Sequence, residues 1–138
     1  MNRMLPFAEI DGNPPEIAGS GCDELLLRSS GAEGGPLQFD GLFLKFEGLW
    51  YALYFKSGKV IWRPRASAPR WANGRLLEDR HYAIDDSLCD GLGIRGVVLE
   101  SLETEAVRGG VQVWFVFRGG VALLVNHVLS NSGRYITS

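Results

Sequence analysis

Acid–base, nucleophilic or metal chemistry in this chain would have to start from two histidines, His81 and His127, and two cysteines, Cys22 and Cys89. Neither histidine sits in the HxH, HExxH or His-plus-Cys spacing that a zinc site needs. His81 has Asp79, Asp85 and Asp86 close in sequence, and such carboxylates can raise an imidazole's pKa toward general-base use. A solvated loop histidine has the same neighbours. Cys89 is followed by Asp90, an anion that raises a thiol's pKa and makes it a poor nucleophile. The two cysteines stand apart with no CxxC, as buried thiols in a reducing compartment do. No serine lies in a GxSxG elbow, and Gly91–Gly96 matches GxGxxG in letters only, because it runs into the β-branched pair Val97-Val98 rather than a helix. Glu100, Glu103 and Glu105 have the spacing that any solvated strand face produces. These residues predict no catalytic set, no metal and no cofactor.

Binding is the better prospect. The stretch Trp62–Arg75, WRPRASAPRWANGR, holds four Arg, two Trp and two Pro and no acid. The chain's formal net charge is −2, with 14 Lys and Arg against 16 Asp and Glu, so the remainder carries −6 (10 − 16). Such a chain is dipolar. Arg and Trp are common at binding hot spots, and Arg beside aromatic rings also suits phosphates and stacked bases. Arg65, Arg70 and Trp71 are therefore candidate contacts. The alternative is an edge loop whose arginines pair with Glu78, Asp79, Asp85 and Asp86.

The elements that must position these residues read almost entirely as strands. At 138 residues with 18 Gly, the chain is expected to be one domain, 1–138, of many short strands joined by tight turns. Residues 1–21, rich in Pro and Gly, read as an irregular lead-in with no export signal or membrane span, which predicts a cytoplasmic protein. Leu25–Leu27 reads as a short buried strand closed by a turn-rich loop over 29–36, and Leu37–Phe46 as a strand with Leu42, Leu44 and Phe46 on one face. A turn at Ser57-Gly58 sets Phe55 opposite Val60 and Leu53 opposite Trp62, in a hairpin apolar on both faces. Helix is confined to 75–92: one turn near Leu76–Arg80 and another capped by Asp85 or Asp86.

The last third carries the clearest pattern, Arg108-Gly109-Gly110-Val111 repeated as Arg118-Gly119-Gly120-Val121. Two-residue Gly-Gly turns predict a three-stranded meander with Trp114 between Glu105 and Val125. One face then holds Leu102, Ala106, Val111, Val113, Phe115, Phe117, Ala122, Leu124 and Val128 as core. The other exposes Glu103, Glu105, Trp114 and His127.

The expected fold is all-β or strongly β-dominated α+β: an antiparallel barrel or sandwich with a C-terminal three-stranded meander and a loop or short-helix excursion near 63–92. In size, β-rich build, lack of a catalytic constellation and uneven charge, the chain resembles the small immunity proteins that bacteria make against toxins of polymorphic or contact-dependent inhibition systems. That resemblance implies a protein that covers a cognate toxin domain with an acidic patch drawn from Glu103, Glu105, Asp79, Asp85, Asp86 and Asp90. The expected function is thus a non-catalytic protein-binding module. Its candidate contacts are Trp114, Glu103, Glu105, His127, Arg65, Arg70, Trp71, Asp85 and Asp86, and nucleic acid is a less favoured partner. The competing expectation is a β-barrel that takes a small molecule in an aromatic-lined cavity.

Overall fold

The computed structural model describes residues 9–32, 34–36, 38–56, 59–67, 75–77, 80–107, 110–128 and 134–137. Strand dominates, as the glycine turns and alternating patterns predict. One sheet has seven strands in the order β1-β5-β4-β3-β2-β7-β6: β1 Glu9–Asp11, β2 Cys22–Ala32, β3 Gln38–Phe46, β4 Leu49–Lys56, β5 Lys59–Arg65, β6 Arg75–Leu77 and β7 Arg80–Asp85. The other has four in the order β11-β10-β9-β8: β8 Leu99–Val107, β9 Gly110–Phe117, β10 Ala122–Val128 and β11 Arg134–Thr137. One short helix, α1 Leu88–Leu92, lies between β7 and β8. The pairings are antiparallel except for β1, which adds to β5 in parallel through Ile10↔Val60.

The alternating residues explain the layering. Leu25, Leu42, Leu44, Phe46, Leu53, Val60 and Trp62 turn inward from the first sheet; Val111, Val113, Phe115, Phe117, Leu123 and Val125 turn inward from the second. They bury one contiguous apolar cluster with Ile17, Cys89, Ile94 and Leu99. This is a sandwich with two open sheets, and no closed barrel is formed. Each large side chain fully buried here contributes about 1.5–3 kcal/mol.

Backbone hydrogen bonds also join the sheets directly. Cys22 N–H donates to Val97 O at 3.0 Å, Gly96 N–H to Cys22 O at 2.6 Å, Leu99 N–H to Ser20 O at 2.9 Å and Gly19 N–H to Leu99 O at 2.7 Å. The segment entering β2 thus pairs with the segment entering β8.

Several elements depart from expectation. Strand β1 forms within the lead-in. The stretch after Leu27 continues as strand to Ala32, where a loop was expected, because Ser29 and Ser30 pair with both β3 and β7. Residues 75–77 form β6 rather than a helical turn. A fourth strand, β11, joins the meander.

The hairpin of β4 and β5 has the expected register, with Phe55↔Val60 and Leu53↔Trp62. The meander does not. In β8 and β9 the pairing is Val107↔Gly110 and Glu103↔Trp114, so Gly110 belongs to the strand and Trp114 faces Glu103 instead of Glu105. That displacement keeps the same residues inside. Between β9 and β10 the loop has three residues, Arg118, Gly119 and Gly120, closed by Phe117 N–H to Val121 O at 2.8 Å, with φ of 94° and 95° at the two glycines. The extra residue exchanges the faces of β10. Leu123 and Val125 become core, Ala122 and Leu124 move to the outer side, and Trp114 stands opposite Leu124.

Glycine matters most at Gly12, which has φ +84°; a Cβ there would collide with the Trp62 carbonyl oxygen and lie 2.8 Å from Arg63 Nη1. Gly19 has φ +93° and nothing within 4 Å. Gly19→Ala should therefore cost only the backbone penalty, about 1–2 kcal/mol, whereas Gly12→Ala should cost more. Equal losses in urea unfolding would contradict the packing at Gly12.

Candidate functional site

The core side chains of β2 to β5 face inward, so the alternate residues form an outer face, and their registers place three rows across the sheet. The first is Ile61, Tyr54, Gly41 and Arg28; the second Arg63, Ala52, Phe43 and Leu26; the third Arg65, Trp50, Lys45 and Glu24. Small residues at Gly41 and Ala52 leave room around Phe43. The Arg28 guanidinium lies 5.8 Å from the Phe43 centroid and 5.4 Å from that of Tyr54. The Arg65 guanidinium lies 5.2 Å from the Phe43 centroid. Phe43 is completely buried and meets Tyr54 edge-on at 5.8 Å.

A β-bulge sets the acid in this cluster. Arg28 pairs with Gly41 and Ser29 with Phe39, which leaves Asp40 as the extra residue. Bulges re-aim side chains. Asp40 Oδ1 accepts from Arg28 Nε at 2.8 Å and Oδ2 accepts from Ser30 Oγ at 2.6 Å, so both carboxylate oxygens are engaged. Arg65 donates from Nε to Ser67 O and from Nη1 to Tyr54 Oη, each at 3.1 Å. Among the described residues no carboxylate pairs with Arg65 or with Lys45, whose Nζ lies 5.8 Å from the Trp50 centroid. Arg63 pairs with Asp11 at 3.1 Å, and Arg95 bridges Glu24 at 3.3 Å and Asp90 at 2.9 Å.

The opposite outer face, on the second sheet, has the other sign. Trp114 is 37% exposed, with Glu103 across one strand boundary and Leu124 across the other. Glu105 stands opposite Gln112, and Asn126 completes that row. Glu100, Glu103 and Glu105 are exposed, and no cation pairs with them among the described residues.

The expected contacts therefore separate. Trp114, Glu103 and Glu105 share one outer face; Arg65 lies on the other. His127 is in register with Val111, not in the row of Trp114 and Glu103, as a consequence of the longer second turn. Arg70, Trp71 and Asp79 lie outside the described residues. Asp85 and Asp86 precede α1 and are exposed; the Asp85 carboxylate accepts from the Ser87 hydroxyl at 2.6 Å and its N–H at 2.9 Å, which hold its pKa below the usual value. Within the basic stretch, Trp62 is a core residue, 2% exposed. The Arg28–Asp40 pair went unnoticed in the sequence because only the bulge aims Asp40 across to β2.

The thiols are buried, as expected, but they also touch: Cys22 Sγ and Cys89 Sγ lie 3.6 Å apart. Their hydrogen bond raises the pKa of Cys22 and lowers that of Cys89, against the expectation that Asp90 would raise it. Among the described residues no group of three or more His, Cys, Asp or Glu could hold a metal, and no helix is long and apolar enough to cross a membrane.

Comparison with known proteins adds no kinship. No family model, curated protein or solved structure matches the chain.

The site chemistry has two measurable consequences. Arg28 and Asp40 are only 15% and 22% exposed, so Asp40→Ala should cost about 3 kcal/mol in urea unfolding, while Asp11→Ala, at a pair 46% and 47% exposed, should cost less than about 1 kcal/mol. Neither thiol should react with Ellman's reagent until the protein unfolds; prompt native-state labelling would show that the Cys22–Cys89 pocket is open.

Proposed function

We infer that this protein is a non-catalytic binding domain that engages a basic protein partner through the outer face of β8, β9 and β10. The observation that carries this reading is Trp114, 37% exposed at the centre of a sheet face and flanked by Glu103 in register. A large aromatic ring held on a rigid strand loses little entropy on binding and can fill a partner's pocket. Leu124 and Val116 extend the apolar centre, and Glu103, Glu105 and Glu100 supply a rim of one sign. Such a rim steers a cationic surface, and it rejects an acidic one by like-charge repulsion.

The specific form of the reading is immunity: the acidic face covers the basic cleft of a cognate toxin domain. Of the six acids the resemblance nominates, Glu103 and Glu105 are those that flank Trp114. Asp85, Asp86 and Asp90 lie around α1, and they join the contact only if the partner reaches that end of the sandwich.

The test starts with proteins retained by the wild-type chain and lost with Trp114→Ala, identified by mass spectrometry, and continues with the purified partner in a kinetic assay at two ionic strengths. Glu103→Lys with Glu105→Lys should slow association by about tenfold or more at low salt, should narrow that difference at high salt and should leave the melting temperature unchanged. Trp114→Ala should act mainly on dissociation. An association rate unaltered by the double charge reversal at low salt would remove this face from consideration.

A further inference from the structure

We propose that the outer face of the seven-stranded sheet is a second site, which binds single-stranded nucleic acid by stacking a base on Trp50 and holding phosphates with Arg65 and Lys45. This face lies across the sandwich from Trp114, so the inference stands apart from the protein-binding reading and can fail without it.

The cluster holds an unbalanced cation. Arg65 is half-buried, yet among the described residues none of its contacts is a carboxylate: Nε donates to the Ser67 carbonyl, Nη1 donates to the Tyr54 hydroxyl, and the guanidinium rests over Phe43. Asp40, the acid of the cluster, is engaged by Arg28 and Ser30. A guanidinium held in this way keeps a positive charge with its orientation already fixed, and its Nη2 donors remain for an anion. Arg presents those donors as a planar fork that matches phosphate.

Trp50 stands in register between Arg65 on β5 and Lys45 on β3, two strands about 10 Å apart. Trp50, Lys45 and Arg65 are each half-buried, and Lys45 Nζ lies 5.8 Å from the Trp50 centroid. An indole beside two cations on a strand is the combination that tracks a single strand, with the ring's other face taking a base of any identity and the cations taking the phosphates on either side. Neither cation is paid for by Glu24, which is paired with Arg95.

A duplex keeps its bases stacked on one another and offers its grooves to a helix or ribbon that projects into them. The β3–β5 face is a sheet surface, and Trp50 can stack only a base that is already free. The chain's formal net charge is −2, so diffuse attraction to any polyanion is weak and binding depends on this local patch.

The experiment uses the full chain with fluorescein-labelled oligothymidylate and oligoadenylate of about 12 nucleotides, followed by anisotropy over a salt series. Binding is expected to weaken with salt at a log–log slope of about −1.4, as for two neutralised phosphates on a single strand. Arg65→Gln and Lys45→Gln should each reduce the slope by about 0.7. Trp50→Phe, chosen to preserve packing, should weaken binding about tenfold with the slope unchanged and should abolish the quenching of tryptophan fluorescence by unlabelled oligonucleotide. Glu103→Lys with Glu105→Lys should leave the Arg65 and Lys45 effects intact. Equal affinity for a duplex of the same length, or full affinity in the Arg65→Gln and Lys45→Gln variants, overturns the proposal. So does competition by poly-glutamate as strong as that by the oligonucleotide, since the patch would then be a site for acidic protein.

Discussion

The structure depends on a short antiparallel joint in which Gly19 to Cys22 hydrogen-bonds with Gly96 to Leu99. Four backbone bonds there tie the segment entering β2 to the segment entering β8, and through them one sheet to the other. The surroundings follow from this constraint. Gly96 takes φ +80°, a conformation open to glycine, and its N–H reaches Cys22 O. Arg118 N–H donates to Val98 O at 2.8 Å, so the second hairpin loop is anchored to the same joint. The thiol contact and the Arg95 bridge to Asp90 and Glu24 lie beside it and hold α1 against β2. With the two sheets joined at one end, their inward residues meet as a single core, and their outer faces are left pointing in opposite directions.

Those outer faces divide the charge. On the first sheet the acids Asp11, Asp40 and Glu24 are each paired with an arginine, while among the described residues no acid pairs with Lys45 or Arg65. On the second the exposed charges of β8 are Glu100, Glu103 and Glu105. A modest net charge thus conceals two surfaces of opposite sign separated by the thickness of a sandwich. A layered fold does this readily, because alternation along each strand sends one residue to the shared core and the next to a face that no other element needs.

Much of this was legible in the sequence, and the lapses have physical causes. The hairpin of β4 and β5 could be read because both segments are apolar on either side of the Ser57-Gly58 pair, and a one-residue slip would have misplaced Trp62. Glycine pairs revealed the meander but not its register. Gly109-Gly110 and Gly119-Gly120 look alike, yet Gly110 enters β9 as a strand residue while Gly120 stays in a three-residue loop. That difference decided which residues of β10 became core. Trp114, Glu103 and Glu105 were placed on one outer face because strand alternation survives such a displacement between β8 and β9. The Arg65–Phe43–Arg28 stack was not found as a unit, since it is assembled from three strands and from a bulge at Asp40 that no local pattern announces. Arg65 alone was visible, as part of an arginine-rich stretch whose leading Trp proved to be core.

The joint between Cys22 and Val97 closes a loop of 75 residues (97 − 22), and its cost falls on the folding reaction. Neither sheet can be completed against the other until the chain has brought these distant segments together, and the entropy of that closure is lost before the core repays it. Local hairpins such as β4 with β5 and β9 with β10 can form early, but each is a ribbon with an apolar side still in water until the joint is made. Topology thus sets local hairpins against long-range closures, the joint and the β2–β7 pairing among them, and until those closures form the apolar ribbons are open to pairing with another chain.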